Sequence, residues 1–309
     1  IKNLTRRNNG NKDNEIQIVT EFRGDTRKTK VGPTLVKDGL NNPLKDQVIN
    51  NDFIVKLSEG QYEVLPGNHV VEKGIIVHGN LTIKPNTVLS FKTNAYLVIK
   101  GNLNANGGEN RSIKFSAKDN TWSGMYILGD GGESLLSGVE ISKASELESG
   151  ILKLTSGITF YKSAVTINNV QINNSYAEDA LNLVDSKFII NELSIFNTYS
   201  DALDVDFSTG EIINSRFNNV GGDALDFSGS EVLIRNSNVS MVKDKAVSVG
   251  EMSIVRMFDS VLSDVGVGLA SKDGSIVKAN NVTIRDYKLN AAMSYVKKNF
   301  YGIPVLEMS

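Results

Sequence analysis

Aspartate recurs at a fixed spacing in the middle of this chain. The segments DALNLVD (179–185), DALDVDF (201–207) and DALDFSG (223–229) start 22 residues apart, and KAVSVGE (245–251) follows at the same step. Paired carboxylates can act as general acid and as base or nucleophile in glycoside hydrolysis, and several carboxylates together can bind Ca²⁺. These aspartates are therefore the first candidates for chemistry.

The period of 22 residues indicates a solenoid, in which each repeat buries its apolar side against its neighbours. Within residues 179–200 the apolar residues form three short alternating runs, which is strand periodicity. A leucine-rich repeat has a similar period but needs a helix or irregular segment after its strand, and no helical segment fits here. The sequence predicts an all-β fold: a right-handed, single-stranded parallel β-helix of about ten coils with three strands per coil.

The alternation also assigns the aspartates to columns of the predicted solenoid, because equivalent residues of successive coils stack. With Leu203 and Val205 inward, the outward column that forms a candidate ligand-binding face is Asn182, Asp204, Asp226 and Ser248. A second outward column holds Asp206 and Ser228. A third column, before the strand, is Asp179, Asp201, Asp223 and Lys245. Since Asp at a turn accepts backbone N–H bonds, this third column is interpreted as a structural turn ladder closed by a positive charge.

The cluster of Asp204, Asp206 and Asp226 has three interpretations. It is a solvated acidic face without a role, a metal site for Ca²⁺, or the catalytic carboxylates of a carbohydrate-active enzyme. The enzyme interpretation lacks residues that could assist the aspartates in catalysis. His69 and His78 fall several coils upstream, and no basic residue except Lys245 is expected beside the aspartates. Arg216 and Arg235 belong to other strands of the coil.

Three other features have structural interpretations. The series Asn168, Asn191, Asn214, Asn236 and Asn280 predicts a ladder of stacked amides. Trp122 is expected to be a packing or turn residue. Tyr161, Tyr176 and Tyr199 do not share one position of the repeat, which argues against a stacking groove for glycans.

Composition excludes some functions. The net charge is −2 and no basic patch contains aromatic residues, so a generic nucleic-acid surface is not expected. There is no cysteine, hence no disulfide or thiol chemistry, and no apolar run long enough to span a membrane. Residues 1–58 are interpreted as a polar, basic N-terminal extension and cap, in which only 15–22 alternates like a strand, and residues 59–309 as the β-helix.

The segments LTIKPNTVLSF, LVIKGNLNANG and IKFSAKDNTWSGMYI resemble the opening coils of bacterial surface β-helix proteins of the pectin-lyase-like type. SGITFYKSAVTINN, GGDALDFSGS and DKAVSVGE resemble the β-helix domain attached to bacterial spore-coat-H kinase-like proteins, over roughly residues 59–300. This resemblance implies a bacterial extracellular or cell-surface protein, with a kinase-like domain in the same or a neighbouring chain. It implies no catalytic role for the β-helix.

Two functions follow as expectations. The first is a non-catalytic β-helix module that binds glycan or another surface component, or serves as a rigid scaffold. The alternative is a polysaccharide lyase, hydrolase or epimerase that works on the acidic face. The enzyme would need a cleft walled by long loops, and the regular 22-residue spacing is expected to leave little room for them.

Overall fold

The computed structural model describes residues 16–22, 25–31, 51–149 and 152–309. No helix occurs in these residues, and therefore none that could span a membrane. The strand expected at 15–22 is β1 (Ile16–Phe22), which forms an antiparallel hairpin with β2 (Asp25–Val31) in a compact unit of its own. Most of the predicted extension and cap at 1–58 lies outside the described residues, so that division of the chain stays a prediction.

The second unit is a solenoid of short strands. Its first half contains β3 (Ile54–Ser58), β4 (Gln61–Val64), β5 (Gly67–Val71), β6 (Ile75–His78), β7 (Asn80–Ile83), β8 (Thr87–Phe91), β9 (Leu97–Lys100), β10 (Leu103–Asn106), β11 (Ile113–Ala117), β12 (Met125–Leu128), β13 (Glu133–Ser142), β14 (Leu147–Ser149), β15 (Leu152–Leu154) and β16 (Ile158–Tyr161). Its second half contains β17 (Ala164–Asn173), β18 (Asp179–Val184), β19 (Lys187–Thr198), β20 (Asp201–Asp206), β21 (Thr209–Ile213), β22 (Arg216–Val220), β23 (Leu225–Ser228), β24 (Glu231–Arg235), β25 (Asn238–Gly250), β26 (Ile254–Lys272), β27 (Ile276–Tyr295) and β28 (Val305–Met308).

Parallel pairing between successive coils arranges these strands in three sheets. Sheet A runs through β4, β7, β10, the first parts of β13, β17 and β19, then β21, β24, the first parts of β26 and β27, and β28. Sheet B runs through β5, β8, β11, the second parts of β13, β17 and β19, then β22 and the middle of β25 to β27. Sheet C runs through β6, β9, β12, β16, β18, β20, β23 and the last parts of β25 to β27. The predicted parallel β-helix with three strands per coil is confirmed.

Each coil turns at three corners, where single residues adopt the left-handed conformation. The corners between sheets A and B are Asn169, Glu192, Asn214, Asn236, Asp259 and Asn281, and those between sheets B and C are Asn174, Asn197, Asn219, Met241, Asp264 and Asp286. Asn and Asp tolerate this conformation better than most side chains, which explains why they are frequent in the repeat. One left-handed residue bends the chain without a loop. The number of residues between equivalent positions of successive coils therefore stays close to 22.

Polar ladders connect the coils at these corners. In the asparagine ladder, the side-chain amides of Asn191, Asn214 and Asn236 donate to the preceding asparagine at 2.8, 2.9 and 2.6 Å, starting from Asn168. Asn280 is separate from this ladder and donates to Ser309. The reason is that Asn280 follows Arg235 and Phe258 in the register, so it lies one position before the column of Asn236.

A second ladder is made of buried serines. The hydroxyl oxygen of each serine accepts the backbone N–H of the serine one coil earlier, in the series Ser163, Ser186, Ser208, Ser230, Ser253 and Ser275. These bonds satisfy backbone groups where the chain leaves sheet C, at sites without access to water. The apolar core lies inside the three sheets and includes Trp122, which stacks on Phe91 with 4.1 Å between ring centroids. Trp122 is thus a packing residue, as expected.

We predict that Ser208→Ala destabilises the protein by about 1 to 3 kcal/mol, because the buried N–H of Ser186 loses its acceptor at 3.0 Å. The measurement is the free energy of unfolding in urea. Ser58→Ala, at an exposed position of β3, is the matched control and should change it by no more than about 0.5 kcal/mol. Equal effects of the two changes would contradict a role for the serine ladder.

Candidate functional site

The predicted outward column exists on sheet C. Leu203 and Val205 are fully buried, and Asp204 between them projects outward. Asn182, Asp204, Asp226 and Ser248 occupy equivalent positions in successive coils, and so do Asp206 and Ser228. The register therefore brings the candidate residues Asp204, Asp206 and Asp226 to one face.

This face forms the floor of a groove of about 490 Å³. Its lining includes six carboxyl side chains, namely Glu178, Asp179, Asp201, Asp204, Asp206 and Asp226, together with Asn182, Tyr126 and Tyr161. One wall consists of Lys153, Leu154, Thr155 and Ser156. Carboxyl groups that crowd into a recess perturb one another's ionisation, which is a common property of binding and catalytic sites.

The wall corrects the expectation that the regular spacing leaves little room for long loops. Residues 143–157 separate β13 from β16, whereas only residues 174–178 separate β17 from β18 one coil later. This insertion contains the two-stranded sheet of β14 and β15. Its base is fixed by Tyr126, whose hydroxyl donates to the carbonyl of Ser156 at 2.8 Å. Burial raises the pKa of this tyrosine. The insertion precedes the regular 22-residue repeats, and for that reason their spacing does not reveal it.

The carboxyl groups of Asp204 and Asp206 share one hydrogen-bond donor. Asn182 donates to both of them, at 2.9 Å to Asp204 and 3.4 Å to Asp206. Burial and the charges of Asp179, Asp206 and Asp226 raise the pKa of Asp204 far above its ordinary value. Burial also raises the pKa of Asp206, but the hydrogen bonds from Asn182 and Asp204 oppose this shift. The surroundings of Asp204 therefore favour its protonated form.

The third column makes the contacts of a turn ladder. Asp201 accepts the backbone N–H of Asp223 at 2.8 Å, and Asp223 accepts the backbone N–H of Lys245 at 2.9 Å. The ammonium of Lys245 lies 3.2 Å from Asp223 and 2.6 Å from Asp244. Asp179 accepts the hydroxyl of Ser156 at 2.9 Å, and burial, with the charge of Asp201, raises its pKa to about 7. Asp179 and Asp201 of this column also line the groove, so these two aspartates are not confined to a structural role in the turn.

Lys272 is a basic residue beside the aspartates that the sequence reasoning missed. Its ammonium donates to the hydroxyl of Ser248 at 2.7 Å and lies 3.7 Å from the carboxylate of Asp226. The side chain is only 8% exposed and crosses Gly250, where a Cβ would lie 3.3 Å from its Cε atom. Glycine at 250 thus leaves space for the lysine to reach back to Asp226.

The carboxylates with the spacing of a cation site differ from the predicted set. Oxygen atoms of Asp201, Asp223 and Asp226 lie within 4.8 Å of one another. The predicted set was Asp204, Asp206 and Asp226, of which only Asp226 belongs to this group. Lys245 and Lys272 already place positive charge against Asp223 and Asp226. This compensation weakens the electrostatic attraction for Ca²⁺.

The remaining candidates lie apart from the groove. His69 and His78 are in the first coil, on β5 and β6. Arg216 is in sheet B and Arg235 is in sheet A, which agrees with their expected placement on other faces. None of these four residues lines the groove.

No protein-family model and no curated protein sequence matches this chain. Among solved structures, it is similar to the periplasmic alginate epimerase AlgG, with 11% identity, a TM-score of 0.39, and 83% of this chain and 80% of that chain covered. It is also similar to PfbA, a surface adhesin of Streptococcus pneumoniae, with 9% identity, a TM-score of 0.22, and 77% and 87% covered. At these identities and TM-scores, neither likeness bears on the function of the groove.

The raised pKa of Asp179 predicts that the protein becomes less stable as the pH rises from about 4 to about 7. In this window the unfolded chain has released the proton that the folded chain still binds, so stability decreases with pH. We expect Asp179→Asn to reduce this decrease by a few kcal/mol, since each pH unit between the two pKa values corresponds to about 1.4 kcal/mol. The measurement is urea unfolding at a series of pH values.

Asp185→Asn is the control for this prediction, because Asp185 is an exposed aspartate at a corner of the same coil. It should leave the slope of stability against pH unchanged. A wild-type protein whose stability rises through this pH window, with the same slope in both variants, would contradict the raised pKa of Asp179.

Proposed function

We propose that the groove on sheet C binds a polysaccharide and hydrolyses its glycosidic bonds. The observation that carries this proposal is the stacking of Asp204 on Asp226 in one recess, where burial and the neighbouring carboxylates raise the pKa of Asp204. Glycoside hydrolysis requires one carboxyl group in its acid form at neutral pH and a second in its ionised form. The groove contains a candidate for each: Asp204 for the acid and Asp226 for the second carboxyl group.

In this proposal Asp204 is the general acid and Asp226 the nucleophile. Because the two residues are in register, their backbones are about 4.8 Å apart, which lets their carboxyl groups take the separation of about 5 Å that retaining glycosidases use. The ammonium of Lys272 lies 3.7 Å from the carboxyl group of Asp226. Asn182 holds the carboxyl group of Asp204 by a hydrogen bond.

The reaction proceeds in two balanced steps. Asp204 gives its proton to the glycosidic oxygen as the bond to the anomeric carbon breaks, and Asp226 forms an ester with that carbon. A water molecule then attacks the same carbon, the ester bond breaks, and Asp204 takes a proton from the water. Both carboxyl groups return to their starting forms, and the sugar keeps its anomeric configuration.

The charge of the groove favours neutral or amino-sugar polymers. Six carboxyl groups line it and Lys153 is the one cationic side chain of its lining. A polymer of uronic acids would bring further carboxylates against them and would be repelled. This argues against a lyase or epimerase acting on uronates, because such an enzyme must neutralise the acid group of its substrate.

A non-catalytic glycan-binding or scaffold module is the second candidate. It is favoured by the ladder of Asp201, Asp223 and Lys245, whose backbone and side-chain contacts give the aspartates a structural role without chemistry. Both candidates suit an extracellular or cell-surface protein that meets polysaccharides. A kinase-like domain as a partner stays a prediction.

We predict that the purified protein releases reducing ends from neutral or amino-sugar polymers, with retention of configuration, and not from alginate or polygalacturonate. Asp204→Asn and Asp226→Asn should each lower the turnover rate by about 10²- to 10⁴-fold, since each removes a reacting carboxyl group. Reducing-sugar release from soluble β-glucan, xylan, mannan and chitosan is the measurement, with either Ca²⁺ or EDTA present. Equal rates in Ca²⁺ and EDTA are expected from the charge compensation by Lys245 and Lys272.

Asp286→Asn is the matched control, because Asp286 is an exposed aspartate at a corner of the last coil. It should retain the wild-type rate. If the wild-type protein binds these polymers without releasing reducing ends, the hydrolase proposal is wrong and the binding module remains. An activity that survives both groove substitutions would also contradict the assignment.

A further inference from the structure

Two tyrosines lie exposed beside the groove. Tyr176 is 54% exposed and Tyr199 is 73% exposed, and both occupy the turn that leads from sheet B into sheet C. Each turn continues into groove residues, which are Glu178 and Asp179 after the first tyrosine and Asp201 after the second. Neither tyrosine takes part in the proposed reaction.

The backbone places these tyrosines in adjacent coils. The N–H of Tyr176 donates to Ala144 at 2.8 Å, and the N–H of Tyr199 donates to Ser175, the residue before Tyr176, at 2.9 Å. They therefore share one corner position, which corrects the expectation from the sequence. The expectation was wrong for this pair because the step from 176 to 199 is 23 residues, one more than the step between the aspartates. Tyr161 is on β16, within sheet C.

Tyr176 is also a wall of a second recess. This recess has a volume of about 310 Å³, and its other lining residues are Asn94, Ser123, Ser145, Glu146 and Glu148. An aromatic face surrounded by hydroxyl, amide and carboxylate groups matches the chemistry of a sugar ring, which has an apolar face and a rim of hydroxyl groups. A purely apolar ligand would leave these polar groups without partners.

The insertion that walls the groove separates it from this recess. Glu146 and Glu148, in and beside β14, line the recess, and Lys153 and Leu154 of β15 line the groove. Lys153 crosses the hairpin and contacts Glu146 at 2.8 Å. The groove and the recess therefore adjoin through this contact, and one strand of the insertion lines each of them.

We propose that the recess and the exposed faces of Tyr176 and Tyr199 form a second sugar-binding site, which holds a further part of the neutral or amino-sugar polymer whose bond is cleaved in the groove. The inference rests on the proposed function for the identity of the polymer. The carboxylates of Glu146 and Glu148 give this site the same preference against uronic acids as the groove. The site would increase the affinity of the protein for long polymer chains and leave the rate of bond cleavage unchanged.

The test compares Tyr176→Ala and Tyr199→Ala, singly and together, with Tyr287→Ala. Tyr287 is 48% exposed but lies in sheet B of the last coil, away from both recesses, and it serves as the matched control. Affinity electrophoresis in soluble chitosan and in soluble β-glucan gives the dissociation constant. The double variant should bind at least one of these polymers about tenfold more weakly than wild type, and Tyr287→Ala should bind as wild type.

Binding is measured in the Asp204→Asn background as well, so that cleavage does not interfere. A tenfold loss in the double variant without any turnover by the wild type would support this site and reject the hydrolase. Turnover of either polymer with unchanged affinity and unchanged KM in the double variant would reject this site and leave the hydrolase. Failure of the wild-type protein to bind either polymer, or an equal loss in Tyr287→Ala, would also overturn the inference.

Discussion

The in-register stacking of one coil on the next is the constraint on which the rest of this structure depends. It makes each outward side chain meet its equivalent at a distance of about 4.8 Å, whatever the charges are. Two carboxylates at that distance repel by about 3.5 kcal/mol at an effective dielectric constant of 20. The fold therefore cannot keep every aspartate of sheet C ionised without compensation.

The protein compensates in different ways along the face. Lys245 and Lys272 place positive charge at Asp223 and Asp226, and backbone N–H groups donate to Asp201 and Asp223. Asp204 lies between these compensated positions and Asp179, and burial together with the neighbouring carboxylates raises its pKa. The raised pKa of Asp204 is thus a consequence of burial and stacking, and it favours the acid form that glycoside hydrolysis requires of one carboxyl group.

The sequence predicted the features that depend on local periodicity. The alternation in DALDVDF is enough to place Leu203 and Val205 inside and Asp204 outside, and the 22-residue step is enough to stack Asp204 on Asp226. The asparagine ladder follows from the same step, because its members are stacked at one corner of the coil.

The features that sequence reasoning missed depend on contacts between distant segments. The wall formed by residues 153–156 comes from an insertion that precedes the regular repeats. Lys272 follows a coil that has lost the aspartate motif, and the glycine at 250 leaves space for its side chain beside Asp226. The pairing of Tyr176 with Tyr199 was hidden because these two residues are 23 residues apart, whereas Asp179 and Asp201 are 22 apart.

The most direct test of this account is the ionisation of Asp204 in the folded protein. ¹³C NMR of the aspartate carboxyl groups, with the resonance assigned by its loss in Asp204→Asn, follows that ionisation without any substrate. We predict that Asp204 is protonated at neutral pH and titrates far above the ordinary aspartate value of about 4. A resonance that titrates near about 4 would show that Asp204 is ionised at neutral pH, and its assignment as the general acid would be wrong.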